Sequence, residues 1–150
     1  MRGIDEAALA AVARALAPRM REGGVIHLAG PLGAGKTTFA RSLLGAMGVD
    51  DRIKSPTYTL IESYAIGELT AHHLDLYRIA AADEVEWLGL DDLANGKQLW
   101  LIEWPERADG AIPPPDLIVE LAHAGGTRDL RLIALTTRGE SWLYDLTTAA

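Results

Sequence analysis

The 150-residue sequence contains no cysteine. Disulfide cross-links and thiolate metal sites are therefore excluded, and a cytoplasmic address fits best. No apolar run approaches the roughly 20 residues that a membrane span needs. The N-terminal apolar stretch is alanine-rich, helically patterned and interrupted by Arg14, so no secretory leader is expected there. Basic charge is also scarce: 14 Lys and Arg against 21 Asp and Glu give a formal charge of -7. A chain that grips nucleic acid unaided usually presents a basic patch that displaces counterions, so no autonomous nucleic-acid binding is expected. Arg128 and Arg131 are nevertheless close enough to line a local phosphate site.

What is present, 49% hydrophobic and 23% charged residues, is the composition of a globular chain, and the length suits one domain over residues 1–150 around one core. Leu9, Val12, Ala13, Leu16 and Met20 recur at helical spacing behind a cap at Asp5, predicting an amphipathic helix over 5–21. Gly23 and Gly24 end it, and Val25 to Ala29 read as a buried parallel strand. Residues 37–47 return to helical pattern. Residues 60–64 and 69–75 predict two strands around a turn at Gly67, and 83–94 a helix with a break near Gly89. Residues 98–102 form an apolar run ending at Glu103, expected to be a central strand with a carboxylate at its end. Residues 116–122 and 130–136 predict a strand pair around Gly125 and Gly126, leaving a C-terminal segment with Trp142 and Leu146 whose pattern is weak. The expected fold class is α/β, a single P-loop domain with a mixed, largely parallel central sheet flanked by helices.

Between the first strand and the second helix lies Gly30-Pro31-Leu32-Gly33-Ala34-Gly35-Lys36-Thr37, which satisfies G-x-x-x-x-G-K-[ST] in full. Glycines let the backbone curl so that successive N–H groups face phosphate oxygens, and the following helix adds the positive end of its dipole. Gly30, Gly33, Ala34, Gly35, Lys36, Thr37 and Thr38 are thus candidate nucleotide contacts. Lys36 reaches for the β- and γ-phosphates, and the Thr37 hydroxyl is a candidate Mg2+ ligand. Two strand-end acids, Asp75 and Glu103, are candidates for the metal's partner. Trp104, between Glu103 and Pro105, is placed to close over a nucleotide, to contact a partner or to pack in the core. His72 and His73 are adjacent, so on a strand they point to opposite faces and make no metal pair; both are read as structural.

The stretch Asn95-Gly96-Lys97-Gln98 does not match the Asn-Lys-x-Asp element that recognises guanine. A small-molecule kinase needs phosphate-clamping arginines on a lid, for which Arg78 and Arg107 are the nearby candidates. A nucleotide-dependent switch acting through mobile loops is the third option, and sequence mechanics alone does not choose among them.

The order of four blocks does discriminate. Leu32-Gly33-Ala34-Gly35-Lys36-Thr37-Thr38, Ser55-Pro56-Thr57-Tyr58-Thr59-Leu60, His73-Leu74-Asp75-Leu76-Tyr77-Arg78 and Ile102-Glu103-Trp104-Pro105 together resemble the TsaE (YjeE) family, bacterial ATPases needed to make threonylcarbamoyladenosine in tRNA. The resemblance covers most of the chain. It implies ATP and Mg2+ as cofactors, weak hydrolysis alone, and TsaB and TsaD as partners that carry out the transfer and hold the tRNA. It further implies that residues 55–59 act as a switch, with Thr57 and Thr59 sensing the γ-phosphate. Glu103 is assigned to Mg2+ and Asp75 to the catalytic site, an assignment that remains open to exchange. Glu6 falls in a segment that resembles one near the adenine, and Arg128, expected in the loop before the last strand pair, is a further candidate at the nucleotide site. Pro31 departs from the family pattern, where an acidic residue is common after the first P-loop glycine; altered tuning rather than lost binding is expected.

Overall fold

The apolar run beginning at Val25 becomes β1 (Gly24–Ala29), the strand that enters the phosphate loop. It pairs in parallel with β4 (Lys97–Glu103) on one side and β5 (Leu117–Ala124) on the other. β3 (Leu69–Asp75) continues the parallel set beside β4, while β2 (Ile61–Ile66) and β6 (Thr127–Ala134) close the two edges as antiparallel neighbours. The order is β2-β3-β4-β1-β5-β6. These assignments come from a computed structural model that describes residues 1–49, 53, 56, 59–90 and 97–148.

Strand alternation divides the core into two. On one face Ile26, Leu28, Leu99 and Leu101 meet α1 (Glu6–Leu16) and α2 (Lys36–Ala46). On the other, Trp100 and Ile102 pack with Leu74, Leu76, Val85 and Ala108, beneath short 3-10 turns rather than long helices. Each fully buried leucine of these strands contributes on the order of 1.5–3 kcal/mol to stability. Among the described residues no helix is long and apolar enough to cross a membrane.

The first helix is capped by Asp5, whose Oδ1 accepts from the Ala8 N–H at 2.8 Å. It ends at Leu16, short of residue 21, and gives way to a 3-10 turn over Ala17–Arg19. Pro18 accounts for the early stop, because it has no N–H to donate and its ring would crowd the preceding turn. The helix expected over 83–94 is a 3-10 turn over Ala82–Leu88, ended by Gly89 at φ 65°; residues 91–94 lie outside those described. The weakly patterned C-terminus forms α3 (Thr137–Thr148). Thr136 Oγ1 accepts from the Gly139 N–H at 3.1 Å, and Trp142 is buried against Gly24, where a Cβ would strike the indole ring.

Residues before α1 pair with β6: Ile4 and Arg128 exchange backbone hydrogen bonds at 2.9 and 3.0 Å. This covers part of an exposed strand edge and sets the start of α1 beside the first residues of β6.

Candidate functional site

β1, β3 and β4 are parallel neighbours whose carboxyl ends finish level, with Asp75 opposite Glu103 and Leu28 opposite Glu103 in register. In such a sheet the ends open into a crevice where ligands are held. Here a cleft of about 360 Å³ is lined by Gly33, Gly35, Lys36, Thr37, Thr38, Asp75, Glu103, Trp104, Glu6 and Arg128, together with Leu32, Tyr77 and Arg78.

The loop is curled as its glycines permit. Gly30, Gly33 and Gly35 have φ of 146°, 76° and 109°, values that side chains other than hydrogen resist. A Cβ on Gly35 would lie 2.6 Å from Arg128 Nη1, which locates the Arg128 guanidinium directly over the loop. Gly30 approaches the Leu121 carbonyl so closely that an alanine there would collide with it. Gly30→Ala is expected to destabilise the fold by about 3 kcal/mol through strain and overpacking, read as a lower midpoint in urea unfolding. Gly30 and Ala34 do not line the cleft; the Ala34 side chain is in the core.

Lys36 is 4% exposed. Its Nζ donates back to Gly30 O at 2.6 Å and Pro31 O at 2.9 Å, and lies 4.2 Å from the centroid of the Trp104 ring. Burial lowers its pKa, opposed by the negative charges of Glu103, Asp75 and Glu106. Trp104 holds its place with φ 58°, a backbone state that is costly for a residue with a Cβ, and its ring meets Tyr77 at 5.0 Å. The indole thus roofs the lysine.

Thr37 Oγ1 donates to Glu103, at 2.9 Å from Oε1 and 3.1 Å from Oε2. Glu103 is 2% exposed and also accepts from His73 Nε2 at 2.6 Å. Asp75 is 7% exposed, and its Oδ1 accepts from the Tyr77 N–H at 3.1 Å. A hydroxyl beside a carboxylate is a pair of hard oxygen donors, the chemistry that Mg2+ requires, so these residues fit that ion.

Of the other expected residues, Thr59 does not line the cleft, and its hydroxyl donates to Glu62 at 3.0 Å. Thr57 lies outside the described residues. Sequence reasoning passed over Tyr77 as a lining residue and treated both histidines alike. Strand alternation holds the clue to the difference: His73 shares a face with Asp75, whereas His72 faces the other side, between Ser63 and Gln98 and beside Trp100.

Residues 4–130 match the family described as "Threonylcarbamoyl adenosine biosynthesis protein TsaE". The chain is 41% identical over 117 residues to the tRNA threonylcarbamoyladenosine biosynthesis protein TsaE of Haemophilus influenzae, covering 78% of this chain and 74% of that one. It is 36% identical over 132 residues to the protein of the same name from Bacillus subtilis, covering 88% and 81%. The crystal structure of Bacillus subtilis YdiB superimposes with a TM-score of 0.79 at 30% identity, over 97% of this chain and 91% of the other.

Proposed function

The chain belongs to the TsaE family, and from that premise we propose that it binds and hydrolyses MgATP in support of TsaB and TsaD as they form threonylcarbamoyladenosine on tRNA. The transfer itself is left to those partners, which also hold the tRNA. The chain acts as one domain, in the cytoplasm. The observation that carries this reading is the Thr37–Glu103 pair at 2.9 Å, beside Lys36 in one cleft at the strand ends.

In this reading Gly33, Gly35 and Thr38 contribute backbone N–H groups to the phosphates, and Lys36 turns from the carbonyls of Gly30 and Pro31 to the β- and γ-oxygens. Thr37 and Glu103 hold Mg2+, which when bound shares the negative charge of the phosphates. Asp75 orients the attacking water and receives its proton. Trp104 excludes solvent from above, and Glu6 and Arg128 border the nucleotide on the β6 side.

The depressed pKa of Lys36 gives a pH signature. Phosphates favour the ammonium form, so the lysine pKa rises on binding and the complex takes up protons over the interval between the free and bound values. Nucleotide affinity is therefore expected to fall as pH rises through the free-protein value. Calorimetry in two buffers of different ionisation enthalpy checks the uptake.

The deciding experiment is steady-state ATP hydrolysis by the purified chain, alone and with TsaB plus TsaD, with Lys36→Ala as the blank. Slow turnover that the partners accelerate is the expected result. Partners that neither bind nor stimulate overturn the assembly part of the proposal, and transfer of phosphate to a metabolite would point to a kinase instead.

A further inference from the structure

We propose that His73 is a positioning residue for metal binding, holding the Glu103 carboxylate in the orientation that receives Mg2+. The inference rests on the reading above, in which Glu103 is a ligand to the ion.

His73 stands on β3 opposite Leu101, two residues short of the Asp75–Glu103 pair, so its imidazole reaches diagonally across to the next strand's terminal carboxylate. The ring is 0% exposed, and Nε2 lies 2.6 Å from Glu103 Oε2. A carboxylate only accepts, so Nε2 carries the proton of this bond. Rotation about the last bond of a glutamate is soft, and a strand end fixes the Cα without fixing the plane of the carboxylate. Two donors from different elements supply that constraint, Thr37 from α2 and His73 from β3. Thr37 is itself a candidate ligand, whereas His73 is too deep to touch the ion and can act only through Glu103.

A purely structural role fits less well. Nδ1 of His73 is buried with no hydrogen-bond partner among the described residues, an arrangement that costs stability and that an apolar side chain would avoid. The neighbouring His72 has partners at both ring nitrogens. Conserving geometry at a ligating carboxylate is the use of a buried histidine that explains one strong bond and one idle nitrogen.

His73→Asn and His73→Gln separate the donor from mere polarity. The Gln amide extends to about where Nε2 lies, while the Asn amide stops near Nδ1. Fluorescent ADP is titrated onto each folded variant in EDTA, then Mg2+ is titrated onto the nucleotide-bound protein. His73→Asn is expected to raise the half-saturating Mg2+ about tenfold, His73→Gln to stay within about threefold of wild type, and both to bind metal-free nucleotide like wild type. An unchanged Mg2+ requirement in His73→Asn, or an equal rise in both variants, overturns the inference while leaving the metal site intact. Wild-type nucleotide binding that is indifferent to Mg2+ overturns the metal assignment itself. The wild type supplies a test that needs no variant: in a histidine-selective 15N spectrum the His73 Nε2–H signal should move when Mg2+ is added to the ADP complex. A signal that stays in place also overturns the inference.

Discussion

Lys36→Ala is expected to lower nucleotide affinity at least a hundredfold, about 3 kcal/mol, because it removes a buried ammonium from the phosphates. Stability should change less, since two effects oppose. Truncation leaves the Gly30 and Pro31 carbonyls without the Nζ donor they share, and it removes the cation under the Trp104 ring. It also relieves the desolvation that depresses the lysine pKa. Calorimetric titration with ATP, beside a thermal melt of the same sample, separates lost binding from lost fold. Near wild-type affinity in a folded variant would remove the phosphate role of this residue.

Glu103→Ala and Asp75→Ala should behave differently from that. Each is expected to retain measurable nucleotide binding, which the loop and Lys36 dominate, while lowering hydrolysis by at least a hundredfold. The two routes to the loss are distinct. Without Glu103, the Thr37 hydroxyl and the His73 Nε2–H lose their shared acceptor, so the Mg2+ requirement should rise along with the loss in turnover. Without Asp75, the Thr37–Glu103 pair is intact and the defect should appear in kcat with little change in the Mg2+ requirement. Comparing Mg2+ dependence in the two variants assigns the roles; the reverse pattern would exchange them, and wild-type turnover in either would end its claim to one.

These predictions use residues that strong local signals revealed. The run from Val25 to Ala29 followed by the glycine-rich octet defines strand, loop and helix start together, because the phosphate motif works only in that setting. Glu103 was legible as the end of an apolar strand, and its level alignment with Asp75 follows from parallel pairing. The paired strands around Gly67 and around Gly125 also formed as expected. Less legible were elements whose stability comes from distant partners. α3 has a mixed pattern and owes its place to Trp142 against Gly24 and to Asp116, which accepts from both the Val25 N–H and the Thr136 hydroxyl. The turn over Ala82–Leu88 carries acids suited to a helix start, yet Gly89 takes a left-handed state that ends it. His73 escaped for a related reason: alternation gives the face of a side chain, but which carboxylate lies diagonally across depends on the register between two strands far apart in sequence.

That distance in sequence has a kinetic meaning. Thr37 and Glu103 are 66 residues apart, and their meeting requires β1 to pair with β4, across a chain segment that includes the β2-β3 hairpin on the far side of β4. Contacts of such long sequence separation form late and set folding rates. A partly folded chain holding only its two local hairpins therefore lacks the cleft, and on the proposed function nucleotide is expected to bind the finished sheet alone, slowing unfolding while leaving the folding rate unchanged.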